Sequence, residues 1–489
     1  MIRPGALPPG GSVTFASHDS ADEAGTVLLV VHALAPEEQT GAPLVAQGYA
    51  TSLARRGWNV AVLSTSGEVD CWSSPPVRVP VAPVANAGGV TCDSAAFLHY
   101  RVPVGNAAGI SWSLLAPSDR LDPDRRERKY FESVLDQVRP DLVHVVDNVN
   151  MSLDWPELAR QRGVPVLRSV SCAEDLCALI APVSPRSGPL GFCQAPLTPG
   201  RCTDCAFSAL APPWQQDGDP PPSHPARKLA SDRWRSTLSD LLARKRERAA
   251  VQFREVFHTV VFATAAWRTY FEASLPLGAG RGVVVPMGLE PPPGLLPRKR
   301  EWGGGPLRIV LASTLDAAKG VADVAEAFGR PELARRDDYR LEIHGGGNTE
   351  LVQPLVESNP NVSYHGAYGV SDLACILGDA HVGLSPSLFE TFHRVTREYL
   401  LAGVPVVGGS ALGVSEALVD GCNSVTYDRS RPGGLSRAVL RLLDDPGLVG
   451  RLSEGALSTA VPTVEDEVDG LVRLYQDIRR SAPSAVPVR

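Results

Sequence analysis

The sequence predicts an α/β protein built from two doubly wound, Rossmann-like domains, and three observations carry that expectation. Val27-Leu-Leu-Val-Val31 is an unbroken apolar run, the pattern of a strand buried on both faces of a parallel sheet. A loop, a helical pattern and a second apolar run follow it, the opening of a βαβ unit. The same rhythm restarts at Arg308-Ile-Val-Leu-Ala312, after a stretch thick with Pro and Gly.

In chain order, Leu44, Val45, Tyr49 and Leu53 recur at helical spacing, and Gly57 stops the helix. Trp58-Asn-Val-Ala-Val-Leu-Ser64 is the second strand. Val138–Asp147 and Gly163–Arg168 read as further parallel strands, with a helical run over Arg125–Val138. From about 172 to 222 the pattern turns irregular and rich in Cys, Pro and Gly. An Arg-rich helical run, 233–257, leads to strand Thr259–Phe262, and Val283–Glu290 reads as the last strand of the first unit. Residues 1–290 thus form an N-terminal domain with a Cys-rich insertion, and 291–305 form a linker. Residues 306–462 form a second domain, with strand Leu341–His344 running into a glycine turn. Residues 463–489 hold a helix, Thr463–Arg480, and a tail.

With 489 residues, 44% hydrophobic and 21% charged, the chain is long enough for two cores. A net charge of −7 disfavours nucleic acid as a partner. There is no apolar run of about twenty residues to span a membrane. The first ten residues lack the apolar core of a signal peptide, and the nine Cys are too sparse for a secreted disulfide scaffold. A cytoplasmic location is expected. No feature sets an oligomeric state. The 45 Gly and 43 Pro, with only five lysines among 47 cationic residues, point to a GC-rich genome. They also single out Lys319, since a compact ammonium suits a pyrophosphate where a rigid guanidinium fits badly.

The most informative run is Ser385-Pro-Ser-Leu-Phe-Glu-Thr-Phe-His-Arg-Val-Thr-Arg-Glu-Tyr-Leu-Leu-Ala-Gly-Val-Pro-Val-Val407. It reads as strand end, acidic loop, helix and strand. Glu390 is expected at the helix mouth and Glu398 about two turns on, near one face. A helix start also attracts phosphate. Gly413-Val-Ser-Glu416 follows the next strand. Together these resemble the E-x7-E segment and flanking pattern of GT-B glycosyltransferases, most closely the retaining group called family 4.

The resemblance implies two domains facing a cleft, donor on the second and acceptor on the first, with the C-terminal helix crossing back. It implies transfer of a sugar from a nucleotide-diphosphate donor, UDP-sugar in the first instance, to a small-molecule or lipid-linked acceptor with retention. It implies a hexosyl or N-acetylhexosaminyl enzyme. Ser313-Thr-Leu-Asp-Ala-Ala-Lys-Gly320 occupies the place of the family's G-R-x4-K-G segment. Lys319 would then neutralise the leaving diphosphate, while the family's arginine falls on Thr314, so that either a nearby Arg such as Arg394 substitutes or leaving-group stabilisation is weaker. Glu390 would accept from donor-sugar hydroxyls and Glu398 from the ribose. The donor-binding set also takes in Ser313, Thr391, Phe392, Tyr364 in the loop Tyr364–Tyr368, and the Thr40-Gly41 pair. His393 stands where the family has Gly. On the acceptor side, the family's His-Asp pair is replaced by Ser171-Cys172, with Glu174 and Asp175 just beyond as acceptor candidates or surface acids. No catalytic metal is implied.

Cys177, Cys193, Cys202 and Cys205 could hold a structural zinc, or stand as free or redox-paired thiols. Asp122-Pro-Asp124 mimics a metal-binding DxD but fits a helix cap better. Arg244-Lys-Arg-Glu-Arg248 is a solvated helix face or a peripheral contact with anionic lipid. Two rival readings stay beside the transferase: a nucleotide-sugar epimerase of related architecture, and a non-catalytic nucleotide-sugar-binding partner subunit. A GC-rich bacterial source fits a specialised metabolite or cell-envelope precursor as acceptor.

Overall fold

The computed structural model describes residues 24–34, 41–66, 75–81, 95–103, 125–147, 152–177, 182–183, 192–193, 198–210 and 232–481. Thr40 and Asp122-Pro-Asp124 lie outside them.

The first sheet has eight strands: β1 (Thr26–Val31), β2 (Asn59–Ser66), β3 (Val77–Pro80), β4 (Ala96–Pro103), β5 (Leu142–Val145), β6 (Val166–Val170), β7 (Phe257–Phe262) and β8 (Gly282–Val284). Their spatial order is β3-β4-β2-β1-β5-β6-β7-β8, all parallel save the edge strand β3 against β4. The apolar run of β1 explains its central place. Leu28 and Val30 enter the core on one face, and Val27, Leu29 and Val31 enter the core on the other. A strand covered on both sides needs no polar alternation.

The second sheet has six strands: β9 (Leu307–Ala312), β10 (Tyr339–His344), β11 (Val362–Tyr364), β12 (Val382–Ser385), β13 (Val406–Gly409) and β14 (Ser424–Tyr427). Their order, β11-β10-β9-β12-β13-β14, is wholly parallel. Strand β9 divides in the same way, Ile309 and Leu311 to one core, Val310 and Ala312 to the other. Two doubly wound sheets follow, as the sequence predicts.

Some boundaries move. Val138 closes the helix Arg125–Val138 rather than opening a strand, and β8 stops at Val284. The irregular Cys-rich segment contains a helix, Pro199–Leu210, that carries Cys202 and Cys205. The Arg-rich helix runs Asp232–Val251, and a widened turn, Gln252–Val256, hands over to β7. Arg248 of its basic stretch pairs with Glu157 at 2.9 Å, so this cation is engaged within the protein. The stretch 291–305 has no helix or strand but is pinned to the second sheet's side. Buried Arg300 donates to Ala402 O at 3.0 Å, and its amide donates to Ser453 Oγ at 2.8 Å.

The helix Val464–Ser481 places Val468, Leu471, Tyr475 and Ile478 in the core shared with β1 and the helix Ala42–Arg55. The chain crosses back beside its outward passage, where Leu289 N donates to Pro462 O at 2.9 Å. Gly288 is obligatory there, since a Cβ would meet Thr463 O at 2.1 Å. No helix among the described residues is long and apolar enough to cross a membrane.

Candidate active site

The strand β12 ends at Ser385, and the next helix, Arg394–Leu401, begins only after a loop. Glu390 stands in that loop and Glu398 in the helix, so the two do not share a helix face as the spacing suggested. The reason is His393, whose left-handed backbone (φ +64°) breaks helical continuity just before Arg394. The family's glycine at this place now has a physical cause, because glycine adopts that conformation without strain. Arg397, buried, holds the loop from behind by donating to Gly413 O at 3.0 Å, and also to Phe392 O. Its guanidinium lies 3.8 Å over the Phe392 ring. Gly413 N donates to Glu390 O at 2.9 Å. A Cβ on Gly413 would come within 2.5 Å of Phe392 N, so only glycine lets the two loops touch.

Lys319 ends a short 3-10 turn, Ala317–Lys319, whose start is capped by Asp316 accepting from Lys319 N at 3.0 Å. Leu388 N donates to Ala318 O at 2.8 Å, fastening this turn to the acidic loop. The result is an ion pair between Lys319 Nζ and Glu390 Oε1 at 2.7 Å. His393 Nε2 lies 3.6 Å from the same oxygen. Burial alone would raise the Glu390 carboxyl, but His393 and Lys319 outweigh it and hold it below the usual carboxylate range. Burial pushes His393 down to about 4, so its imidazole is neutral near pH 7 and Lys319 supplies the charge there.

This pair opens into a cleft of about 600 Å³ between the two sheets. Gly41 (φ +57°), at the start of helix Ala42–Arg55, lines the opposite wall, and nothing lies within 4 Å of where its Cβ would be. Each half therefore presents a helix start to the same space, a favourable place for an anion. Ser313, Thr314, Thr391, Phe392, His393 and Ser171 also line it.

Other expected residues do not. Tyr364 turns away and donates to Gly345 O at 2.9 Å, while Tyr368, at the far end of the same loop, lines the cleft. Glu398 is buried beside it, 4.0 Å from Arg394 Nε, and burial raises its carboxyl. Arg394 lines the cleft, as does Thr314. Glu174 and Asp175 are not surface acids and do not reach the cleft lining. Both pair with Arg168, which is fully buried and needs their charge; the Asp175 contact is 3.2 Å.

Two groups were missed by sequence reasoning. His32 follows β1 and Asp147 follows β5, and adjacent parallel strands bring them together. Asp147 Oδ1 accepts from His32 N at 3.1 Å, and Oδ2 lies 2.7 Å from His32 Nδ1. Both line the cleft, and their place at strand carboxyl ends was the available signal. Glu467, from the C-terminal helix, accepts from Gly288 N at 2.9 Å and from Tyr49 Oη. Nothing in its local sequence distinguishes it from a surface glutamate.

Cys177, Cys193, Cys202 and Cys205 are half-buried. Burial pushes the Tyr270 phenol up, and its Oη donates to Cys193 O at 2.6 Å. A tetrahedral zinc set needs sulfur atoms about 3.8 Å apart. Among the described residues no three of these thiols fall within 4.8 Å of one another. The set that does come that close is Glu342, His344 and His365, outside the cleft lining. Its imidazoles stack face to face at 4.6 Å and 11°, so their in-plane lone pairs run side by side rather than meet at one ion.

Residues 306–445 match the family model described as Glycosyl transferases group 1. Glycogen synthase of Mycobacterium tuberculosis is 27% identical over 157 residues, 31% of this chain and 37% of that protein. A GDP-mannose-dependent alpha-mannosyltransferase of Corynebacterium glutamicum is 30% identical over 132 residues, 27% of this chain and 30% of that one. The chain thus matches only about a third of each of these relatives' length. Among solved structures, sucrose-phosphate synthase from Thermosynechococcus elongatus superposes with a TM-score of 0.59 at 13% identity, over 94% of this chain and 100% of that one. The fold is therefore GT-B, and residues 306–445 match the group 1 glycosyl transferase model.

Proposed function

We propose that the chain is a glycosyltransferase moving a sugar from a nucleoside-diphosphate donor, seated against the second sheet, to an acceptor presented from the first. The observation that carries this reading is the Lys319–Glu390 pair at 2.7 Å, set in a cleft with a helix start on either wall. A donor diphosphate entering the cleft competes with Glu390 for the Lys319 ammonium. Once Lys319 turns to the diphosphate, Glu390 is released to accept hydrogen bonds from sugar hydroxyls. In the step itself the bond from sugar C1 to the diphosphate oxygen breaks and C1 bonds the acceptor oxygen. The acceptor proton passes to the departing diphosphate, and Lys319 and Arg394 offset the charge that develops there. Glu390 is tied to the Lys319 ammonium rather than standing as a free base, which favours retention through the diphosphate itself. His32 and Asp147, on the first wall, replace the absent family histidine as the polar groups nearest the acceptor. Tyr368 and Glu398 are the base and ribose side.

The mannosyltransferase named above is named for GDP-mannose, so guanosine joins uridine as a candidate base. The test is release or transfer of sugar from UDP-, GDP- and ADP-sugars, in EDTA, with a panel of alcohol acceptors. One nucleoside diphosphate should accumulate with unchanged rate in EDTA. Binding of a donor with neither hydrolysis nor transfer would favour the non-catalytic reading. Altered donor stereochemistry without acceptor would favour an epimerase. Recovery of activity only on adding Mg²⁺ or Mn²⁺ would contradict the metal-free step.

A further inference from the structure

The acidic loop that carries Glu390 is fastened to the opposite half of the molecule. Phe389, from the second half, is buried in the core cluster of the first sheet. Its ring meets Trp267 edge-on at 5.5 Å (83°), Tyr270 at 5.8 Å and Phe192 at 6.1 Å. The next residues bridge the same seam. Thr391 Oγ1 donates to Ser171 O at 2.7 Å, and Thr264 Oγ1 donates to Thr391 O at 2.9 Å. Glu416 completes the seam by accepting from Ala265 N at 3.1 Å and Ala266 N at 3.0 Å. These amides open the helix Ala265–Ser274, which also carries Trp267 and Tyr270.

We infer that Phe389 is a positioning residue that couples closure of the two halves to assembly of the Lys319–Glu390 site. Adjacent side chains in this extended loop point apart: Phe389 into the first half's aromatic pocket, Glu390 into the cleft. When the pocket holds Phe389, the Glu390 carboxylate is set against Lys319. When the halves part, the ring leaves an apolar pocket for water, and the loop loses Thr391's two bonds at once. An aromatic ring seated among three others is a large, geometrically specific anchor. The Cys-rich insertion reaches the same pocket, supplying Phe192, and Tyr270 Oη donates to Cys193 O at 2.6 Å. The Cys-rich insertion thereby buttresses the anchor rather than the chemistry.

The catalytic half of this inference rests on the transferase reading; the anchoring half does not. The experiment compares wild type, Phe389→Ala and Phe389→Leu by hydrogen-exchange mass spectrometry and by donor turnover. In Phe389→Ala, amides of Leu388–His393 should exchange roughly tenfold faster or more, with β9 and β12 unchanged. On a donor that wild type consumes, kcat should fall about tenfold or more while donor KM stays within about threefold, and Phe389→Leu should recover most of both losses. Exchange in the loop equal to wild type overturns the anchor. So does a loss carried by KM alone, or one that Phe389→Leu does not rescue. If Phe389→Ala yields no folded protein, Phe389→Val, apolar but too short to span the pocket, takes its place with the same criteria. Should wild type consume no donor, the transferase reading fails, and the exchange comparison still decides the anchor.

Discussion

Lys319 and Glu390 are far apart in sequence, yet their contact is over-determined. Asp316 caps the turn of Lys319, Leu388 ties that turn to the acidic loop, and Arg397 and Gly413 hold the loop's other side. His393 adds a neutral imidazole at 3.6 Å from Glu390, so deprotonation of that ring does not alter the pair near pH 7. Glu398 has a different setting: buried, with Arg394 as its charged partner at 4.0 Å. In the proposed site it meets the ribose, so Glu398→Gln should weaken nucleotide binding by about 1.5–3 kcal/mol, the range for a charged hydrogen bond. Titration calorimetry with the nucleoside diphosphate checks this, and turnover at saturating donor should change far less.

At the scale of elements, glycines set the approach of loops. Gly320 takes φ +69° directly after Lys319, and a Cβ there would lie 2.0 Å from Pro386 O. Gly320→Ala should therefore push the Lys319 turn away from the loop and cost about 1–3 kcal/mol. Thermal unfolding should show the loss, together with reduced turnover. Strands such as β1 and β9 were legible in the sequence because both their faces are covered, leaving an unbroken apolar run. Strands β3 and β4 were not, since β3 is a largely exposed edge and His99 and Arg101 interrupt β4. Lys319, Gly41 and the acidic loop were legible from motif order. The helix start was misplaced because nothing local marks His393 as left-handed. Tyr364 was taken for Tyr368 because the loop's turn, not its spacing, decides which phenol faces inward. Glu174 and Asp175 were read as acceptor candidates or surface acids because their partner Arg168 is hidden inside a strand, and the His32–Asp147 pair depends on β1 lying beside β5.

At the scale of the whole molecule, the return crossing carries a buried acid. Glu467 joins Tyr49 of the first helix to Gly288 on the outward passage, with Arg394 as the cation facing it. Burial raises its carboxyl from 4.5 to about 7, against the two hydrogen bonds and Arg394. The folded state thus holds this proton at pH values where the unfolded chain has released it. Its contribution is greatest below the unfolded value and declines as pH rises to about 7, by on the order of 3 kcal/mol. Glu467→Gln should lack that decline, so thermal unfolding of wild type minus variant, followed from pH 5 to pH 8, should fall as pH rises. A flat difference would mean that the crossing is not held by a protonated acid. The half-buried His99 and the buried His393, each pushed down to about 4, work in the opposite sense, which is why the difference rather than the wild-type curve is read.

The central claim is that Lys319 meets a diphosphate leaving group in a cleft closed by both halves. Single-turnover transfer or hydrolysis at saturating donor, for wild type and Lys319→Ala, tests it most directly. The account predicts a rate lower by about 10²–10³-fold in Lys319→Ala, the usual loss for one transition-state donor, with the protein still folded and still binding the nucleotide. A variant that retains most of the wild-type rate would contradict it, because the diphosphate would then lie away from Lys319.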